Sequence, residues 1–301
     1  MQKKKTNQSN VSVPNWMGRH PFSPEEKKVT VITSDKEVTT IYGVEGHQVS
    51  SQIYISTDKV NLSDFVIPAG NYFDPPDIHS GVECYYVLQG KAMMLHPETG
   101  RTYQIVKGDA FLIPVGVWHQ GYNFTNENVK ILCGIAPKIW GTNDKMGSAV
   151  TYKGKFTFYK SEEDETNLPI KWQKPHKKDY GEKELIHLPP CEWLHFIHGK
   201  KNHILVSFFV SNDLIHMGKI VIPAGKISDP EVHQGDEAVY LLEGKMTVRI
   251  YKSGNSEESI SQETYQINKG EKILIPEGVK HQYLNFGTEG TEFIFVIAPK
   301  L

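Results

Sequence analysis

Apolar and β-branched residues along this chain come in short runs and not at helical spacing. Runs rich in Val, Ile, Thr, Tyr and Phe occupy 29–32, 52–56, 64–67, 84–88, 92–95, 111–113 and 130–135, and Gly, Pro, Asn and Asp separate them. Strands of that length at that spacing, punctuated by turn formers, predict an all-β sandwich or barrel. No stretch of comparable length repeats its apolar positions with a helical period, so no helix is predicted.

The pattern occurs twice. Val66-Ile67-Pro68-Ala69-Gly70 returns as Val221-Ile222-Pro223-Ala224-Gly225, and Tyr86-Val87-Leu88-Gln89-Gly90-Lys91 returns as Tyr240-Leu241-Leu242-Glu243-Gly244-Lys245. The segment that begins at Lys107-Gly108 and closes on Ile113-Pro114 matches the one from Lys269-Gly270 to Ile275-Pro276. Both copies end on Ile-Ala-Pro-Lys, at 135–138 and 297–300. A repeat of this length in conserved order means two homologous β-domains. The division drawn is a flexible N-terminal arm at 1–25, a first domain at 26–140, a connector at 141–185 and a second domain at 186–301. The arm is polar and broken by Pro14, Pro21 and Pro24, and is expected to stay outside any core. The acidic run Glu162-Glu163-Asp164-Glu165 reads as part of a solvated connector, although 152–159 alternates well enough for an extra strand. The stretch 252–264 reads as a surface hairpin.

Composition narrows the class of partner. The 301 residues are 39% hydrophobic with a formal net charge of -2, enough apolar content for two buried cores. No basic stripe interleaved with aromatics argues for nucleic acid, and no segment approaches a membrane-spanning apolar length. Three scattered cysteines make neither a disulfide framework nor a Cys-x-x-Cys site, and the first ten residues lack a signal-like apolar stretch; both suit a cytoplasmic protein. The expected partner is a small-molecule substrate. Exposed sheet edges leave room for barrel-to-barrel pairing, between the two halves or between chains in a homodimer.

Candidate chemistry clusters where the first copy enters an apolar strand. Asp77 and His79 are two apart and leave the same face of an extended chain, Glu83 keeps that parity, and Gly81 permits the backbone to bend so that the carboxylate swings toward the imidazole. A further donor, His119, lies in a second cluster of spacing Gly-x5-Pro-x-Gly-x2-His-x3-Asn, built from Gly108, Pro114, Gly116, His119 and Asn123. The second copy repeats it with Gly270, Pro276, Gly278, His281 and Asn285. Its glycines and proline suit tight reversals between short strands.

His-x3-Glu-x6-Gly followed by that second motif resembles the cupin superfamily, and the duplication makes the chain resemble a bicupin. The resemblance runs over about 38–138 and 193–300 and implies two tandem double-stranded β-helix (jelly-roll) barrels. In that family two histidines and a glutamate of the first motif and a histidine of the second hold a metal. Carried over, these are His79, Glu83 and His119 in the first copy and His233, Glu237 and His281 in the second. The chain departs at the first histidine, where Asp77 and Glu231 stand. Each copy nevertheless keeps a two-His, one-carboxylate set, the facial triad of non-haem iron. An acid at the vacant corner is able to add an oxygen donor, as in the ureidoglycine aminohydrolases. Mixed oxygen and nitrogen donors favour Fe(II) or Mn(II), with Zn(II) or Ni(II) as alternatives.

The resemblance to bicupin dioxygenases implies an O2-dependent non-haem oxidoreductase acting on a small oxygenated acid or phenol. The alternatives are a metal-dependent isomerase, decarboxylase or lyase of a sugar or hydroxy acid, with Asp77 or Glu231 moving protons, and a cupin that binds a sugar or acid without turnover. Tyr85 has inward parity and is a candidate catalytic acid; its counterpart is Val239, so the second site is expected to lack a phenol. Asn123 and Asn285 are expected to brace the fold or the ligand histidine. Trp118 and Tyr122 should face outward, Cys84 and Cys133 should be inertly buried, and His198, His203 and His216 should be satisfied or exposed histidines.

Overall fold

The structure is a computed structural model that describes residues 14–137, 139, 184–251 and 262–301. The expected strand at 152–159 and most of the expected hairpin at 252–264 lie outside the described residues. Among these residues there is no α-helix, and short 3-10 turns occur at Pro24–Glu26, Ser34–Lys36 and Pro190–Glu192.

The first half carries β1 (Thr30–Ile32), β2 (Val38–Val44), β3 (His47–Ser56), β4 (Asn61–Ile67), β5 (Val82–Gln89), β6 (Lys91–Leu95), β7 (Thr102–Val106), β8 (Ala110–Ile113), β9 (Gln120–Tyr122) and β10 (Val129–Ala136). The second half carries β11 (Ile186–Leu188), β12 (Leu194–His198), β13 (Ile204–Ser211), β14 (His216–Ile222), β15 (Asp236–Glu243), β16 (Lys245–Ile250), β17 (Glu263–Asn268), β18 (Lys272–Ile275), β19 (His281–Leu284) and β20 (Thr291–Ala298). Each barrel pairs a seven-stranded sheet with a three-stranded one: β11-β8-β5-β10-β4-β3-β2 faces β7-β6-β9, and β1-β18-β15-β20-β14-β13-β12 faces β17-β16-β19. This is the expected all-β tandem of jelly rolls.

Strand pairing crosses the domain limits drawn from sequence. β1, from the segment assigned to the first domain, adds to the second barrel with Thr30 opposite Leu274 and Ile32 opposite Lys272. β11, from the segment assigned to the second domain, adds to the first barrel with Ile186 opposite Leu112 and Leu188 opposite Ala110. Each barrel thus borrows an edge strand from the other half. The reason is local: β8 and β18 are four-residue strands whose outer edges would otherwise present unpaired backbone groups.

The two-residue period of the strands sorts their side chains. On β5, Glu83, Tyr85 and Val87 face the first barrel's interior, whereas Cys84 and Tyr86 join a central cluster with Trp193, Phe209, Ala238 and Val296 of the second half. The barrels therefore meet through the outer faces of their large sheets, with Tyr86 and Phe209 stacked at 5.5 Å. Salt bridges flank this seam, among them Lys27 to Asp236 at 2.9 Å and Lys59 to Glu277.

The proline-broken arm departs from expectation. From residue 14 it runs along the first barrel, where His20 bridges Ser56 through two backbone hydrogen bonds and Trp16 packs on the barrel's own core cluster. An aromatic side chain gains more by covering that apolar mouth than by remaining in water.

Candidate metal centres

In each half the two motifs are clamped before any ion is considered. The backbones of Asp77 and His119 exchange two hydrogen bonds, at 2.8 and 3.0 Å, and those of Glu231 and His281 do the same, both at 2.9 Å. Gly116 and Gly278, at φ of +72° and +75°, turn their N–H groups onto the carbonyls of His79 and His233, each at 2.9 Å. That left-handed backbone is what the motif glycine supplies. A bend at Ser80–Gly81 then returns Glu83 toward His79, as the sequence predicts.

Three donors converge in the first barrel. Glu83 Oε2 lies 3.3 Å from His79 Nε2 and 3.2 Å from His119 Nε2, and all three residues are buried. His119 Nδ1 donates to the Val117 carbonyl at 3.3 Å, which leaves Nε2 as the lone-pair nitrogen. Glu83 Oε2 and His119 Nε2 have no hydrogen-bond partner although both are buried. Burial opposes the charge on Glu83, but His79 and His119 overcome it and hold the carboxyl down at about 2. The reciprocal effect raises His119 above its ordinary value against its own burial.

The second barrel repeats the arrangement. Glu237 Oε2 is 3.5 Å from His233 Nε2 and 3.0 Å from His281 Nε2, and His281 Nδ1 donates to the Val279 carbonyl at 2.9 Å. Glu237 Oε2 and His281 Nε2 are likewise buried and unpartnered. Buried, converging, unpartnered carboxylate and imidazole atoms cost free energy as they stand, and a divalent cation satisfies them together. The donor set fits a metal in both halves.

The acids at the departing corner sit differently. Glu231 lies 3.8 Å from His281 Nε2, and its donor atom lies within 4.8 Å of those of His233 and His281, a grouping that takes in Glu231 and not Glu237. Asp77, one methylene shorter, comes within 3.5 Å of His79 Nε2 and falls outside the equivalent group. Its Oδ1 accepts the Ile78 N–H at 2.8 Å.

Around these donors the halves have diverged. Tyr85 is fully enclosed against Glu83, and burial followed by that carboxylate pushes its hydroxyl well above the ordinary range. The second site does not lack a phenol, contrary to the sequence reading: Tyr283, two residues after His281 on the same face of β19, turns its hydroxyl toward Glu237 and is shifted upward by the same two causes. Cys133 is buried as expected, and burial followed by Glu83 pushes its thiol well up, yet it has a structural role. It faces inward on β10 and donates its thiol to Glu83 Oε1 at 2.9 Å, whereas Cys84 points to the seam between barrels. Phe295 occupies the position of Cys133 in the second barrel, opposite Val239 and Gly218 where the first has Tyr85 and Ser63. The first cavity accordingly measures about 400 Å³ and the second about 190 Å³.

The remaining expected residues fall as follows. Asn123 and Asn285 brace the fold: each donates to three backbone carbonyls, those of Ile67, Pro68 and Glu127, and of Ile222, Pro223 and Glu289. Tyr122 stacks outside the barrel on Tyr72 at 4.9 Å. His198 lines the second cavity, 3.7 Å from Glu231, while His203 binds the Gly199 carbonyl and His216 binds Ser211.

Two jelly-roll barrels fused in one chain, each closing around a His-Glu-His set, define a β-barrel protein with two sites suited to a divalent metal. The family model described as a cupin domain matches residues 63–135 and again 218–297, so the chain belongs to the cupin family, as a bicupin. Solved structures with this fold include AerE from Microcystis aeruginosa, 14% identical over 87% of this chain and 97% of that one, with a TM-score of 0.55. A Lactobacillus farciminis oxalate decarboxylase formate complex is 13% identical over 90% and 86%, with a TM-score of 0.62. The 11S globulin from Wrightia tinctoria, solved with an auxin binding site, is 15% identical over 91% and 83%, with a TM-score of 0.59. No curated protein matches the chain.

Proposed function

We propose that the chain is a metal-dependent enzyme of the decarboxylase, isomerase or lyase kind, with its reaction centre in the first barrel. One observation carries the reading: there the His79, Glu83, His119 set and a carboxylate outside that set, Asp77, open into the same 400 Å³ cavity. A divalent ion on this set would supply Lewis-acid polarisation of a substrate oxygen. Manganese is the first choice, since Mn(II) centres are described for the structurally similar oxalate decarboxylase of Bacillus subtilis. Asp77 takes up or returns the substrate proton, its Oδ1 steadied by the Ile78 N–H. Tyr85 fixes Glu83 and closes the cavity floor. In the second barrel Glu231 joins His233, Glu237 and His281 as a fourth donor, and the small cavity suits a metal held for stability.

The test is elemental analysis of wild type, His79→Ala and His233→Ala, together with CO2 release, solvent-proton incorporation and O2 uptake on a panel of hydroxy and oxo acids. Each single variant should lose one equivalent of metal. His79→Ala and Asp77→Asn should abolish turnover, with Asp77→Asn retaining its metal. Turnover that consumes O2 stoichiometrically would replace this reading with the dioxygenase, which the same triad favours. A metal-loaded protein that turns over nothing would leave a small-molecule binding cupin.

A further inference from the structure

The first cavity has walls of uneven chemistry. Much of the wall is apolar and ring-rich, from Trp16 of the arm, Tyr42, Phe65 and Phe73 with Ile53 and Ile135, and the ionisable lining groups are those of the donor set and Asp77, with Tyr85 and Cys133. Among the described residues no lysine or arginine lines it. Burial, then the negative charges of Asp77, Asp74 and Glu83, push the Tyr42 hydroxyl up. Most polar wall groups are already engaged: Tyr42 Oη donates to the Pro75 carbonyl at 2.8 Å, Cys133 donates to Glu83, and Ser63 accepts from Asn61 at 3.3 Å. Thr40 and Ser51 supply the remaining lining hydroxyls.

Charge and polarity together restrict the ligand. Asp77 and Glu83 contribute two negative charges, which one divalent cation cancels. A singly charged ligand adds a single net charge to this cavity, whereas a dianion adds two with no guanidinium or ammonium to receive the second. A polyol would bury several hydroxyls against carbon, and each unpaired one weakens binding. An apolar ring loses water and gains the aromatic walls. The second cavity has about half the volume, about 190 Å³, with Phe295, Phe208 and Phe196 in its lining, so it has less room for such a body.

We infer that the first barrel selects a singly charged hydroxy or oxo acid whose body is an apolar ring, over dicarboxylates and sugar acids. This rests on the first barrel's being the reaction centre, and it names the substrate class of that site.

Three probes share a 2-hydroxy-carboxylate head and differ only in body: mandelate (phenyl), tartronate (a second carboxylate) and gluconate (a polyol). Their binding to the manganese-loaded full chain is measured by calorimetry after desalting, beside the metal content. Mandelate should bind at one per chain and at least tenfold more tightly than either competitor. Binding should vanish in His79→Ala and persist in His233→Ala. Trp16→Ala should weaken mandelate severalfold while leaving tartronate unchanged, and Thr40→Lys, at a half-buried wall position, should raise tartronate affinity relative to mandelate. Tartronate or gluconate matching mandelate, on protein whose first site holds metal, would overturn the ligand class and leave the reaction centre standing. Failure of His79→Ala to lose a metal equivalent would instead overturn the reaction centre itself.

Discussion

The thiol of Cys133 offers the sharpest check on how the first site is built. Its hydrogen bond to Glu83 Oε1, at 2.9 Å, leaves Oε2 as the oxygen aimed at His79 and His119. Cys133→Ala removes that donor from the wall of the first cavity. Hydrogen bonds to charged groups contribute about 1.5–3 kcal/mol, and a thiol is a weak donor, so the lower end applies. About 1.4 kcal/mol is tenfold in an equilibrium constant, so manganese affinity of the first barrel should fall about tenfold. That agrees with the about 10–100-fold losses typical when a group holding a metal ligand is removed. The measurement is competition against a chelator in a His281→Ala background, which silences the second site. Cys133→Ser should recover most of the affinity, since a hydroxyl donates to the same oxygen. Unchanged affinity in Cys133→Ala, with a normal melting temperature, would refute the claim that the thiol orients the carboxylate.

Three further outcomes are expected. Tyr283→Phe should weaken metal binding in the second barrel alone, and Tyr85→Phe in the first alone, each by about three- to tenfold in the same competition assay, because each phenol faces only its own carboxylate. Lys27→Met should destabilise the fold by about 2 kcal/mol, below the about 3–5 for a fully orphaned buried charge, since Thr57 and the Glu277 N–H still hold Asp236. Burial opposes the Lys27 charge, but Asp58 and Asp236 raise its pKa above 10.5. The contribution is therefore complete below that value and lost only as pH rises through the raised one, so the melting-temperature difference should be equal at about pH 6 and about pH 9. Gly218→Ala should cost about 1–3 kcal/mol by denaturant melting, because a Cβ there would meet the Ser207 carbonyl at 2.4 Å and the Phe295 ring at 2.8 Å.

Much of the fold was legible because both its signals are local: a two-residue apolar period and a repeated order of turn residues. The convergence of the histidines and glutamates was legible because the motif glycines that clamp them are fixed by backbone geometry. What escaped was set by contacts distant in sequence. β1 reads as an ordinary strand and β11 only as the start of the second domain, and nothing in three residues says which barrel owns them. Trp16 sits in a polar, proline-broken stretch, and only the mouth it covers accounts for its burial. Cys133 carried a usable signal, its shared parity with Ile131 and Ile135, but a cysteine on an apolar strand reads equally well as filler. Tyr283 escaped because the first copy has a glycine, Gly121, at its position, so the repeat does not point to it. Extending the same parity rule from His281 reaches it.

The two sites have moved apart by exchanges that only work together. The phenol beside the ligand glutamate comes from β5 in the first barrel, as Tyr85, and from β19 in the second, as Tyr283. At the reciprocal positions stand Val239 and Gly121, and an added Cβ on Gly121 would meet Ile67 and Phe73 at 2.9 Å. Phe295 in turn requires Gly218 opposite it, where the first barrel has Cys133 and Ser63. Either half-change alone would overpack the barrel or leave a void beside a buried charge, so the donors stayed while their surroundings were rebuilt as sets. The strand exchange explains why the smaller site is worth keeping. A metal bound there would stabilise the second barrel by mass action; that barrel's large sheet includes β1, and the chain passes from β1 through the Ser34–Lys36 turn into β2, whose Tyr42 walls the first cavity. A stable second barrel thus fixes one wall of the first.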